Sequence, residues 1–187
     1  MAAVRIVGGE FRGRPLRTPR SQEIRPTTDR AREAVFNVLA HGYGERLAGA
    51  RVLDLFAGTG ALGLEALSRG ASFCVFIEEG AEGRGLIRDN VETMGLQGRT
   101  KIFRRDATAL GSVGTLAPFS LVFADPPYGR RLGEAALVSA RAGGWLAPKT
   151  LVCLEEAASA PFDLPAGFNL VEERRYGDSV VRFIETA

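Results

Sequence analysis

The sequence predicts an α/β protein built on a doubly wound, largely parallel sheet with helices on both faces. Three observations carry this expectation. From Arg51 onward, near-continuous apolar runs alternate with helical periodicity, the pattern of strands buried on both sides. The stretch Val52 to Gly70, VLDLFAGTGALGLEALSRG, passes from an apolar run through Ala57-Gly58-Thr59-Gly60 into apolar residues at Leu62, Leu64, Ala66 and Leu67. That is strand, glycine turn, helix. Finally, the last two apolar runs are joined only through Tyr176-Gly177-Asp178, which makes them an antiparallel hairpin at one edge.

Taken in order, Val4 to Val7 and Phe11 to Leu16 flank Gly8-Gly9-Glu10 and read as a short hairpin with arginines on its outer positions. Ser21 to Pro26 reads as a linker, because a proline disfavours helix in the residue before it. Thr28 or Asp29 then caps a helix over 30–41 with Ala31, Ala34, Val35, Val38 and Leu39 as its apolar stripe, and Gly42 and Gly44 end it. The alternation that follows is strand 51–56, helix 61–69, strand 72–78, helix 81–94, strand 100–104 and a weak helix over 107–113. Strand 119–124, helix 131–142, strand 149–155 and the closing pair 168–175 and 179–185 complete it. The domain division expected is a basic arm over 1–28 and one compact domain over 29–187.

A chain of 187 residues suits a single domain that buries roughly 70% of its unfolded surface and leaves no room for a second catalytic unit. With 45% hydrophobic and 25% charged residues, neither a disordered nor a fibrous state is indicated. No apolar run approaches the roughly 20 residues of a membrane span, and no secretory signal opens the chain, so a cytoplasmic protein is expected. Cys74 and Cys153 each sit in an apolar run without a partner at metal spacing and read as buried small hydrophobes. Trp145 and Phe119 read as packing, and His41 as a favourable charge at a helix end or plain surface.

The net charge of +2 conceals an asymmetry. Residues 1–32 hold eight arginines against three acids, a local balance of +5, whereas the rest of the chain stands at −3. Such a basic arm is the electrostatic footprint of a phosphate-backbone partner, unless it is simply a solvated terminus.

Gly58, Gly60 and Gly63 fit the spacing of a dinucleotide turn, but Asp54 sits inside the strand four positions before the first of them. A carboxylate there repels a pyrophosphate and welcomes a cationic ligand. In open α/β sheets ligands bind beyond the carboxyl ends of the strands, and the other candidates fall at such ends. Glu78 follows Asp54 by 24 residues, close to the spacing at which an acid accepts from ribose hydroxyls. Asp106 follows the third strand, where a helix N-cap is an equal alternative to a ligand contact. Asp125-Pro126-Pro127-Tyr128 closes the fourth strand, and its prolines fix the backbone so that the Asp125 carboxylate and Pro126 carbonyl become rigid acceptors. Read alone, it is also a plain Asp-Pro turn.

DLFAGTGALGLEA resembles the first motif of class I S-adenosylmethionine-dependent methyltransferases, and DPPY resembles the fourth motif of those that methylate an amino nitrogen. With RPTTDRAREAVFNVL at Arg25 to Leu39 and the opening RIVGGEFRGR, the chain resembles, almost end to end, the bacterial 16S rRNA guanine-N2 methyltransferase family. The resemblance implies a Rossmann-like, seven-stranded sheet with a reversed edge strand, preceded by a small hairpin and helix. It implies S-adenosylmethionine as cofactor, with Asp54, Phe56, Ala57, Gly58, Gly60, Glu78, Asp106, Ala107 and Thr28 as its binding residues, Asp106 at the adenine amine. Asp125, Pro126, Pro127 and Tyr128 become the catalytic set, with Tyr128 stacking on the base, and no metal is required. Thr27, Thr28 and Asp29 are expected to fold over cofactor and base. Arg5, Arg12, Arg14, Arg25 and Arg32 are candidates for 16S rRNA within the small ribosomal subunit, although Arg25 and Arg32 suit acidic partners equally. A monomer is expected. One departure is Glu79-Gly80, where the family usually places an Asp after the acid of its second motif. A DNA adenine-N6 or cytosine-N4 methyltransferase, a small-molecule or protein amide methyltransferase, and a non-catalytic RNA-binding assembly factor are the competing readings.

Overall fold

The computed structural model describes residues 4–20 and 29–187. Its centre is one seven-stranded sheet in the order β3-β2-β1-β4-β5-β7-β6. In chain order the elements are α1 (Asp29–Gly42), α2 (Gly44–Leu47), β1 (Arg51–Leu55), α3 (Ala61–Ser68), β2 (Phe73–Ile77), α4 (Ala81–Thr93) and β3 (Thr100–Phe103). β4 (Phe119–Ala124), α5 (Leu132–Ala142), β5 (Leu146–Ala157), β6 (Phe168–Tyr176) and β7 (Ser179–Thr186) follow. The first five strands pair in parallel, and β7 pairs antiparallel with both β5 and β6. The closing hairpin thus lies at the edge as expected, with the reversed strand its inner member and β6 outermost.

The sheet divides the core in two. On one face α1, α3 and α4 pack through Phe36, Leu64, Ile87 and Val91 against Val52, Phe76 and Phe123. On the other, α5 and the turn at Ala107–Ala109 cover Leu53, Val75, Val122 and Val152. Side chains of alternate strand residues therefore point into different layers, which is why the strands read as unbroken apolar runs. Cys74 and Cys153 are buried, as their runs suggested, and Trp145 is fully enclosed, stacked on Phe119 with its indole N–H donating to the Gly111 carbonyl at 2.8 Å.

Four expectations change. α1 buries Arg32, Val35, Phe36 and Leu39, so its inner stripe is rotated from the expected one and contains an arginine. Gly44 opens a four-residue helix, α2, whose Leu47 is buried. The weak helix expected over 107–113 shrinks to a 3₁₀ turn at Ala107–Ala109, because Gly111 and Gly114 both adopt positive φ. The N-terminal hairpin forms one antiparallel bridge, Arg5 to Pro15, without a longer ladder. Around that bridge the N–H groups of Ile6, Gly13 and Leu16 donate to the carbonyls of Arg14, Ile6 and Val4, and others of the arm's amides go to α3, as described below. The linker at 21–26 lies outside the described residues.

Candidate active site at the strand ends

β1 runs directly into the glycine turn. Phe56 holds a left-handed φ of 56°, a conformation that strains a residue with a side chain, and Gly58 and Gly60 continue at 58° and 79°. The Ala57 N–H donates to the Ile77 carbonyl at 3.0 Å, and the Gly60 N–H to the Ala57 carbonyl at 2.8 Å, so the turn closes on itself and on β2. Gly60 then caps α3. No side chain fits at Gly63: its Cβ would stand 2.5 Å from the Phe76 ring and 2.6 Å from Cys74 Sγ.

The acids expected to meet a ligand also build this turn. Asp54 is 1% exposed and its Oδ2 accepts the Gly63 N–H at 3.0 Å, so it ties β1 to the first turn of α3. Asp54 thus has a holding role at the turn, its buried carboxylate bound to the start of α3. Burial pushes its carboxyl well above the usual range, the Gly63 bond opposes this, and the charges of Asp125 and Glu78 add to it. Asp125 and Glu78 thus lie near enough to Asp54, at the ends of β4, β2 and β1, to favour its neutral form. Glu78 bridges the site by accepting the Gly58 N–H at 2.7 Å and the Gly80 N–H at 2.9 Å. Of the two roles open to Asp106, the structure displays the cap: Oδ1 accepts from Thr108 N–H at 2.8 Å and its hydroxyl at 2.7 Å. Ala107 beside it is buried.

Asp125-Pro126-Pro127-Tyr128 leaves β4 one strand from the glycine turn, because β4 pairs with β1 through Leu55 and Ala124. Asp125 is half-buried, Pro126 buried and Pro127 exposed. Two residues not foreseen from the sequence hold this segment. Glu155 Oε1 accepts the Tyr128 hydroxyl at 2.6 Å, and Glu156 Oε1 accepts the N–H groups of Gly129 at 3.0 Å and Ala157 at 2.7 Å. Their signal was the pair of acids ending the apolar run TLVCLEEA, where a strand end meets polar surroundings.

The arm is fastened to the far end of α3. Glu65, fully buried, accepts from the N–H groups of Val7 at 3.0 Å and Gly8 at 2.9 Å, and from the guanidinium Nε of Arg32 at 3.2 Å and Arg69 at 2.9 Å. Ser68 completes the seat: its carbonyl accepts from Glu10 N–H at 2.8 Å, its hydroxyl accepts from Phe11 N–H at 2.9 Å and donates to the Gly8 carbonyl at 2.6 Å. Arg32 also donates to Asp29 at 2.9 Å and to the Arg5 carbonyl, and it is fully buried. Of its two expected roles it takes the acidic partner, and its burial removes it from a phosphate-facing surface. Arg5, Arg12 and Arg14 are exposed on the arm, Arg5 bonding the Gly13 carbonyl at 3.1 Å and Arg14 reaching the Thr93 carbonyl at 3.4 Å. Arg25, Thr27 and Thr28 lie outside the described residues.

Comparison with known proteins gives four relevant findings. The family model described as conserved hypothetical protein 95 matches residues 4–185. The ribosomal RNA small subunit methyltransferase D of Escherichia coli K12 is 40% identical over 185 residues, covering 97% of this chain and 89% of that protein. Among solved structures, the putative methyltransferase yhhF from Escherichia coli superposes with a TM-score of 0.83 at 34% identity, covering 99% of this chain and 98% of that one. The Thermus thermophilus 16S rRNA N2 G1207 methyltransferase, solved with AdoMet and guanosine, shares the fold at 21% identity and a TM-score of 0.66, over 86% of this chain and 44% of that one.

Proposed function

The chain belongs to the family described as conserved hypothetical protein 95, and on that footing we propose that it transfers a methyl group from S-adenosylmethionine to the exocyclic N2 amine of a guanine in 16S ribosomal RNA. The small ribosomal subunit is the substrate form this reading favours. The observation that carries it is the fixed Asp125-Pro126-Pro127-Tyr128 segment one strand from a glycine turn whose Gly58 N–H is held by Glu78.

The residues present suit the cofactor. Its sulfonium and amino charges suit the carboxylates of Glu78 and Asp125 at the neighbouring strand ends. The missing Cβ of Gly60, which would stand 3.2 Å from Phe76 and Ile87, lets the turn pack closely there, and Glu78, at the carboxyl end of β2, is an acid suited to ribose hydroxyls. S-adenosylmethionine supplies an electrophilic methyl carbon on a sulfur that leaves as a neutral thioether.

The chain's own residues then have one difficult task. The lone pair of a guanine amine is delocalised into the ring, so the nitrogen attacks poorly while planar. Acceptance of its two N–H groups by the Asp125 carboxylate and the Pro126 carbonyl favours a pyramidal nitrogen and aims its lone pair. The same acceptors stabilise the positive charge that grows on nitrogen during attack, and one N–H proton leaves after transfer, to Asp125 or to water. Prolines 126 and 127 keep the acceptors from turning away. Tyr128, its hydroxyl held by Glu155, presents its ring to the base. Arg5, Arg12 and Arg14 offer the RNA backbone positive charge from an arm seated on α3.

Labelled methyl transfer to small subunits lacking base methylation, with naked 16S RNA and duplex DNA alongside, tests the reading. The expected product after digestion is N2-methylguanosine from the subunit. Asp125→Ala should abolish transfer while cofactor binding by calorimetry persists. Label only in DNA, or full activity of that variant, refutes the proposal.

A further inference from the structure

We propose that Glu155 is a specificity-determining residue that reads the N1–H of the target guanine beside the N2 amine held by Asp125; this rests on the methyl-transfer reading above. Ala124 pairs with Leu154 across the parallel β4–β5 ladder, so Asp125 and Glu155 emerge as neighbours from strands about 4.8 Å apart. Both share the sheet face of Phe123 and Cys153, two residues earlier on each strand. Both line the same small cavity, whose remaining wall is apolar and includes Val35 and Leu62.

The orientation of Glu155 is set rather than free. Its Oε1 accepts the Tyr128 hydroxyl at 2.6 Å, which aligns the carboxylate with the ring expected to face the base. Among the described residues Oε2 accepts no hydrogen bond, so the group retains acceptor capacity toward the cavity.

Two adjacent carboxylates in an apolar niche select by donor pattern. Guanine presents an N–H at N1 next to the amine at C2. Adenine and cytosine present an amine next to a bare ring nitrogen, whose lone pair would face the Glu155 carboxylate and repel it. Uracil has a ring N–H but no amine. Guanine alone among the four bases satisfies both acids, because an anionic acceptor has no proton to offer a bare ring nitrogen.

The test uses 16S RNA carrying either guanosine or the ribonucleoside of 2-aminopurine at the mapped methylation position, assembled into small subunits. 2-Aminopurine keeps the reactive amine but lacks the N1 proton. Wild-type protein should methylate guanosine faster by at least about tenfold, the effect of one charge-assisted hydrogen bond. Glu155→Gln, whose amide donates to a bare nitrogen, should reduce that ratio by at least about tenfold, with S-adenosylmethionine binding unchanged. Tyr128→Phe, which loosens the carboxylate but leaves it present, should lower the ratio by less than Glu155→Gln does. Equal wild-type rates on the two bases overturn the inference without any variant. So does a ratio that Glu155→Gln leaves unchanged, or one that Tyr128→Phe shifts as far. Failure of wild-type protein to label any guanine would instead refute the methyl-transfer reading itself.

Discussion

Replacing Glu65 by alanine should be among the most destabilising single changes in the chain. Its carboxylate is fully buried and accepts from two guanidinium groups and two arm amides. Arg32 is equally buried, and its remaining described partners are Asp29, itself 42% exposed, and a backbone carbonyl. Removing one member of a buried pair leaves an uncompensated charge and costs about 3–5 kcal/mol. For a domain of this length that corresponds to a fall in Tm of roughly 6–20 °C. Glu65→Gln keeps the shape and one acceptor oxygen, so the difference between the two variants isolates the charge. Thermal unfolding followed by circular dichroism measures both, and a cycle with Arg32→Met supplies the control. Because the second change removes the stranded charge, the double variant should be more stable than the summed single losses predict, by about 1–3 kcal/mol. A loss under about 1 kcal/mol for Glu65→Ala, or strict additivity in the cycle, refutes the idea that this carboxylate holds arm, α1 and α3 together.

Gly9→Ala places a Cβ 1.9 Å from the Ser68 carbonyl oxygen at a φ of +80°, so the arm must leave its seat; RNA affinity at fixed salt should fall while S-adenosylmethionine affinity, by calorimetry, should hold. Asp54→Asn tests the buried carboxyl. Because the folded state raises its pKa, the charged acid costs stability from the unfolded value of about 3.9 upward. The stability of the asparagine variant relative to wild type should therefore rise as pH increases from about 4 toward neutrality, and denaturant titrations showing a flat or falling difference would contradict it. Arg12→Ala and Arg14→Ala should each weaken RNA binding irrespective of sequence and lower the salt-dependence slope by about one; an unchanged slope excludes them from the backbone contact.

The fold was legible because buried parallel strands leave a plain mark. Expected strand 119–124 coincides with β4, and strands 51–56 and 72–78 differ from β1 and β2 only at their ends. What the sequence concealed were partners distant along the chain. Arg32 counted toward a basic arm, yet Arg32, Val35, Phe36 and Leu39 share the spacing of one helix face, a signal that the arginine points inward. Its partner, Glu65, lies 33 residues away, and no local pattern joins them. Asp106 looked equally suited to a ligand and a cap, because both roles require an acceptor at a strand end. Glu155 and Glu156 were passed over for the same reason: two acids after an apolar run read as solvated until a tyrosine and a backbone amide are seen donating to them.

These acids have a common logic that bears on how the molecule works. α3, eight residues and so about 12 Å long, is gripped at both ends by carboxylates. Asp54 takes the Gly63 amide where the helix leaves the glycine turn, and Glu65 with Ser68 takes the arm where it finishes. The helix therefore fixes the distance between the turn beside the proposed cofactor site and the basic arm proposed to meet RNA. A short helix held by buried charges and backbone hydrogen bonds does not bend between these points, so the arm and the glycine turn form one rigid piece. Loosening the arm should consequently appear as weaker RNA binding with cofactor affinity preserved, whereas loosening the Asp54 end should disturb the turn first. Opposite ordering of these two effects in Gly9→Ala and Asp54→Asn would mean that α3 does not act as the beam between them.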